Sequence, residues 1–188
     1  MDKGHTFAQD VSEILERQKA INHHEALALQ KAFKDSEADQ FDDFLLEEGL
    51  VEEDVLLKAL SEYYQVPAFD VVGYFFDHNL LTKFPREFLL GEGIIPFELD
   101  NDILSVVASE PDKEGLESMI RDYVSYDVVL LVGLRRDIGD AVKEFYDTSP
   151  AEVEGDQDLR EERGLEDEAR VLEDDTELVI KEDESLEK

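Results

Sequence analysis

The residue types that most often carry chemistry are sparse and scattered in this sequence. His23, His24 and Glu25 form the one metal-capable cluster that is not made of acids alone. Neighbouring residues on a helix point about 100° apart, so two of them cannot face one ion without a third ligand close by, and His5 and His78 are distant in sequence. That cluster therefore reads as a solvated helix start. Asp100 and Asp102 flank a polar turn but lack the further oxygen ligands and the glycine of a calcium loop. Gly91 and Gly93 look like half of a dinucleotide fingerprint, yet they precede an apolar β-rich run rather than a helix. A phosphate-binding loop needs Gly-Lys followed by Ser or Thr, and no Gly-Lys pair occurs anywhere in the chain. With 50 acidic residues, no two carboxylates stand out as a general acid and base. The expectation is a protein without catalytic, cofactor or metal site.

Two other groups have the character of contact residues. Tyr74, Phe75 and Phe76 are consecutive and cannot all face one core, so at least one lies at a boundary or on the surface. The reading placed first is a seam between two subdomains; the alternative is an exposed docking patch. Arg135 and Arg136 form one of the few basic pairs, read first as partners of neighbouring acids and otherwise as a contact for an anion or a protein.

Composition narrows the class of partner. The 188 residues carry a formal net charge of −32, which opposes nucleic acid and anionic membrane surfaces at long range. Residues 151–188 hold 17 acidic and 5 basic side chains, a net of −12, which leaves −20 for the rest. A basic or positively patched protein is the favoured partner. The sequence has no cysteine, so neither a disulfide framework nor a thiolate metal site is available. It shows neither a basic, apolar leader at its start nor an apolar run long enough to cross a bilayer, so no membrane insertion and a soluble, cytoplasmic protein are expected.

The elements that must position these residues follow from periodicity. After a flexible start, 1–9, residues fall at helical spacing through 10–65: Val11, Ile14 and Leu15, then Ala26, Leu27, Gln30 and Phe33, then Phe41, Phe44 and Leu45, then Val55, Leu56, Leu60 and Tyr63. A shift of 30 places Val11 on Phe41, Ile14 on Phe44, Leu15 on Leu45, Ile21 on Val51 and Leu27 on Leu57. The region reads as a duplicated helix-turn-helix, with Asn22 and Glu52 beginning the second helix of each unit. From 66 to 147 the pattern becomes a small α/β subdomain in the order helix, strand, strand, helix, strand, helix. Its expected parts are an extended run at 68–72, a helix capped by Asp77, a turn begun by Pro85, a hairpin of 94–99 with 103–108, an amphipathic segment at 111–124, a buried strand at 128–132 and a closing helix carrying Ile138, Val142, Phe145 and Tyr146. The fold class is α+β. Residues 148–188 are too acidic and too poor in apolar side chains to repay ordering, so an acidic disordered tail is expected, with a transient helix at 165–172 and an apolar patch at 178–180.

The stretch 41–64, FDDFLLEEGLVEEDVLLKALSEYY, with Leu45, Gly49, Leu56 and Leu60, is similar to the repeated helical unit of the N-terminal (MshE-type) domain of type II secretion and type IV pilus assembly ATPases. The resemblance continues through Gln65-Val66-Pro67, Phe69-Asp70, Leu80-Leu81, Phe84-Pro85, Ile95-Pro96, the run 104–108, Pro111, Ala141 and Phe145-Tyr146, and covers about 10–146 without an ATPase domain. It implies a docking and regulatory unit that binds a protein partner, in that family the cytoplasmic part of an inner-membrane platform protein. Some members bind cyclic di-GMP across the two repeats, which makes a cyclic di-GMP or other nucleotide sensor with a degenerate motif the alternative function. The motif positions carried over are Asp10, Val11, Leu15, Gln40, Phe41, Leu45, Gly49, Leu56 and Leu60. Nucleotide-binding members begin each repeat with Arg-Leu-Gly; here Asp10-Val11-Ser12 and Gln40-Phe41-Asp42 stand there, Lys19 replaces the first internal glycine, and Phe33 and Tyr63 replace the closing Gln. A doubly negative ligand needs a cation or close backbone amides, and an acid in their place repels it. These departures argue against cyclic di-GMP.

Overall fold

Apolar stripes on the helices of each repeat unit, and apolar runs on three short strands, give two adjacent cores. The computed structural model describes residues 3–147. The expected tail at 148–188, with its helix at 165–172 and patch at 178–180, lies outside them.

The first half is two helix pairs: α1 (Lys3–Arg17) with α2 (His23–Asp35), and α3 (Phe41–Glu47) with α4 (Glu53–Tyr64). The register of 30 holds in three dimensions, since Val11 and Phe41, Ile14 and Phe44, and Leu15 and Leu45 are all buried in one core. It holds in the turns as well. Lys19 and Gly49 share φ of 63°. Lys19 N–H donates to the Glu16 carbonyl and Ala20 N–H to that of Leu15, and Gly49 and Leu50 donate in the same way to Leu46 and Leu45. Both first helices thus end in the same left-handed, doubly hydrogen-bonded stop, made with glycine in one copy and with a strained lysine in the other. Asn22 caps α2 in a reciprocal box with Glu25, whereas Glu52 makes no side-chain cap on α4.

Two expectations need correcting here. Helix α1 begins at Lys3 rather than near Asp10, because Ala8 extends the buried stripe by a turn and Phe7 meets Tyr63 edge-on at 5.0 Å. Leu27 is 55% exposed: α2 buries Ala26, as expected, together with Leu29 rather than Leu27, and position 27 lies about 100° around the helix from 26.

The second half contains α5 (His78–Leu81), α6 (Arg86–Glu92), β1 (Ile94–Asp100), β2 (Ile103–Ala108), α7 (Leu116–Arg121), β3 (Asp127–Val132) and α8 (Arg135–Asp147). Asp77 caps α5 through Asn79 N–H, and Pro85 precedes α6. Strands β1 and β2 pair antiparallel from Ile94–Ala108 to Asp100–Ile103, with a bulge between Pro96 and Glu98. Their two-residue turn, Asn101-Asp102, has positive φ at both positions, the twist that a tight hairpin needs. Strand β3 lies parallel to β2, Ile103 opposite Asp127 and Ala108 opposite Val132, and α7 makes the crossover. The tyrosine Tyr146 donates its hydroxyl to the Phe84 carbonyl at 2.6 Å, tying α8 to the loop before α6.

The segment 111–124 is helical only over Leu116–Arg121, after Gly115 in a left-handed conformation. The strand expected to be buried is an edge strand: sheet order is β1-β2-β3, and Val129 is 46% exposed. One residue of the expected extended run, Ala68, bridges its far end at Val132. Among the described residues no helix is long and apolar enough to cross a membrane.

The duplicated stop yields a paired prediction. Lys19→Gly, which relieves the left-handed strain, leaves the protein as stable or up to about 1 kcal/mol more stable, and Gly49→Ala costs about 1 kcal/mol by introducing it. Urea unfolding of the two variants beside the wild type checks the opposite signs.

Candidate functional site

The two cores meet where β3 ends. Val132 and Leu134 are buried among the helical-repeat side chains rather than in the core of their own layer. Beside them lies a cleft of about 710 Å³ between the α3–α4 turn and α4 on one side and 68–71 with the start of α8 on the other. Val51, Leu57 and Phe69 are half-buried along it, with Leu134 beneath. Its carboxylates come from Glu52, Glu53, Asp54, Asp70 and Asp137, and its one cationic side chain is Lys58.

The arginines expected to pair with acids do so. Arg136 bonds Glu53 of α4 and, at 3.1 Å, its neighbour Asp137, so one guanidinium joins the helical unit to α8 across the cleft wall. Arg135 pairs with Glu110 and lies against Gly93. A Cβ at Gly93 would fall 2.5 Å from Ser109 Oγ and 3.0 Å from an Arg135 nitrogen, so the bare backbone there makes room for the guanidinium.

Behind this wall sits a group that periodicity gave no reason to single out. Asp42, in the first turn of α3, is 7% exposed. Burial pushes its carboxyl up to about 6, and Asp43 adds to the effect, while the backbone amides of Asp42 and Asp43 and the Arg135 charge pull the other way. Burial also raises Asp43 and Asp137, opposed by Arg135 and Arg136 respectively. The signal available in the sequence was the acid's place between Phe41 and Phe44, one residue from an apolar stripe. Its first-repeat counterpart, Ser12, is fully buried and satisfies its hydroxyl by donating to the Ala8 carbonyl at 2.6 Å.

The motif positions divide by burial. Val11, Leu15, Phe41, Leu45, Leu56 and Leu60 come together as core. Asp10, midway along α1, and Gln40, just before α3, are half-buried, and Gly49 is exposed beside the cleft. The aromatic run does not form the seam between subdomains. Tyr74 packs edge-on against Phe69, Phe76 and Phe97 of the α/β layer, and Phe75 is 97% exposed, because an extended backbone sends alternate side chains to opposite sides. The run nonetheless adjoins the cleft through Phe69. His23 lies 3.1 Å from Glu16 at an exposed helix start, and Asp100 accepts from Asn101 within the hairpin turn.

This arrangement defines a class: paired helical repeats on a small mixed sheet, with a mixed apolar and acidic cleft at the joint. Solved structures share the fold. A structure of MshE with cdg (cyclic di-GMP) superposes with a TM-score of 0.58 at 16% identity, covering 72% of this chain and 98% of that one. The N-terminal domain of XpsE gives 0.53 at 18% identity, covering 76% and 96%. The MshEN domain family matches residues 64–152. The fold is thus shared with the N-terminal domain of XpsE, and the match to the MshEN domain family is confined to residues 64–152. No curated protein is significantly similar in sequence.

The buried Asp42 sets a pH dependence. Its folded pKa of about 6 exceeds the ordinary aspartate value of 3.8, so between these values the folded state holds the proton that the unfolded state has released. Stability therefore rises as pH falls from 7 toward 4, by on the order of 2–3 kcal/mol from this group. In denaturant titrations at pH 7 and pH 5, Asp42→Asn is more stable than wild type at pH 7, and the difference shrinks at pH 5.

Proposed function

We propose that the chain is a non-catalytic docking module of a type II secretion or type IV pilus-like system, working in the cytoplasm by binding a protein partner. The observation that carries this reading is the cleft at the joint of the two cores, with Phe69 of its lining packed against the exposed Tyr74 and with Arg136 holding Glu53 and Asp137 of its rim. A half-apolar groove beside an exposed aromatic is the surface character of protein contacts rather than of a small-substrate site. The sequence offers no Gly-Lys loop for nucleotide hydrolysis, and MshEN domains are the non-catalytic part of their ATPases.

The alternative is nucleotide sensing, since the similar MshE was solved with cdg. Several features disfavour it. Ser12 and Asp42 occupy the positions at which nucleotide-binding relatives have glycine, and both are buried. Asp10 and Gln40 replace the arginines. The closing-Gln positions are taken by Phe33, packed on Phe41 at 5.2 Å, and by Tyr63, packed on Phe7. Together these put an acid and aromatic rings where a phosphodiester needs cations and amides.

Calorimetry against the purified cytoplasmic domains of the inner-membrane platform proteins from the native host tests the reading. Saturable binding to one of them is expected, and silence with all of them defeats it. Cyclic di-GMP at high micromolar concentration gives no heat; a saturating isotherm would instead favour the sensor.

A further inference from the structure

We propose that the cleft seats a lysine- or arginine-bearing amphipathic segment of the partner protein, apolar side chains down and cations at the rim. This rests on the docking-module reading and specifies its chemistry. The floor is apolar: Val51, Leu57, Phe69 and Leu134 offer an ion no ligands but offer a helix face or extended peptide room for a few side chains. The rim carries acids left without a cation. Glu53 and Asp137 are already neutralised by Arg136, but Glu52 and Asp54 make no ion pair among the described residues. The Asp70 carboxylate accepts only from its own loop, at Val72 N–H, 2.9 Å away. Lys58 answers one of these three charges at most.

Other occupants meet the same charge. The chain's own residues 151–188 carry a net of −12, and a second copy carries −32, so both are repelled at long range, as are nucleotides and anionic lipid surfaces. A cationic segment is attracted, and it gains apolar burial once seated. The association should therefore be steered electrostatically and weaken with salt.

A fluorescein-labelled helical peptide of leucine and lysine with one apolar face serves as the probe, and a scrambled peptide of the same composition as its control. The full chain binds the amphipathic peptide more tightly than the scrambled one, and amide NMR shifts centre on Leu57 and Phe69. The pair Glu52→Lys with Asp54→Lys weakens binding by about tenfold or more, and the milder Glu52→Gln, Asp54→Asn, Asp70→Asn triple weakens it by several-fold, guarding against a folding defect in the first. Glu98→Lys with Asp100→Lys at the hairpin, the same change in charge, leaves affinity within about twofold. Equal weakening by the hairpin pair, equal binding of the scrambled peptide, or shifts centred elsewhere would overturn the proposal. The platform-protein titration separates the two readings. Binding there that survives the Glu52→Lys, Asp54→Lys pair sinks the cleft assignment alone, whereas silence there beside a peptide seated in the cleft sinks the docking module.

Discussion

Burial of Val132 and Leu134 in the helical core is the contact on which the architecture depends. Without it the repeats and the sheet would be two small bodies, each close to the lower size at which a single core is self-sufficient. Val132 ends β3 and Leu134 lies two residues beyond it, so the parallel pairing of β3 with β2 fixes the approach of the helical pair. The backbone reinforces the joint: Phe69 N–H donates to the Val132 carbonyl and Val132 N–H to that of Pro67, both at 2.9 Å. The chain thus leaves α4, pairs once with the end of β3, and only then enters the α/β layer. The cleft is the space that this route leaves open beside the joint.

Charge is distributed around the joint in a graded way. Arg135 and Arg136 are committed to Glu110, Glu53 and Asp137, and their field partly offsets the burial of Asp42 and Asp43 behind them. Exposed pairs of this kind contribute little to stability individually. Their effect here is one of placement, since the committed arginines hold the wall while the acids farther along the rim keep their charge. A carboxylate such as Asp42, buried at a cost near neutral pH, persists in a protein whose other terms exceed that cost.

Much of this was legible from residue order. The 30-residue shift located both helix pairs and even the shared turn, because a helix stop requires a left-handed residue at a fixed distance from the last buried leucine. The hairpin was readable from Asn101-Asp102, and the closing helix from Ile138 and Val142. What escaped depends on neighbours distant in sequence. Leu27 looked like core because it falls at helical spacing, but α2 turns Ala26 and Leu29 inward instead. Strand β3 looked buried because VVLLV is continuously apolar, yet which strand occupies an edge is decided by topology. The aromatic run was placed at the wrong boundary, since the stacking of Phe69 on Phe97 at 4.3 Å draws Tyr74 toward the sheet. Asp42 was not singled out as a buried acid because in a sequence with 50 acidic residues one carboxylate beside an apolar stripe does not stand out. The resemblance to secretion and pilus ATPase N-terminal domains, by contrast, rested on the order of many weak signals, which survives even where single motif positions have changed, and the fold shared with the N-terminal domain of XpsE agrees with it.

Strand β1, the other margin of the sheet, is interrupted by Pro96 and by the bulge that follows it. An interrupted margin cannot offer a foreign strand the unbroken row of donors and acceptors that lateral growth requires. Every copy also bears the same large negative charge, so identical molecules meet both a geometric and a coulombic barrier on that side. The chain is thereby discouraged from polymerising with itself along that edge.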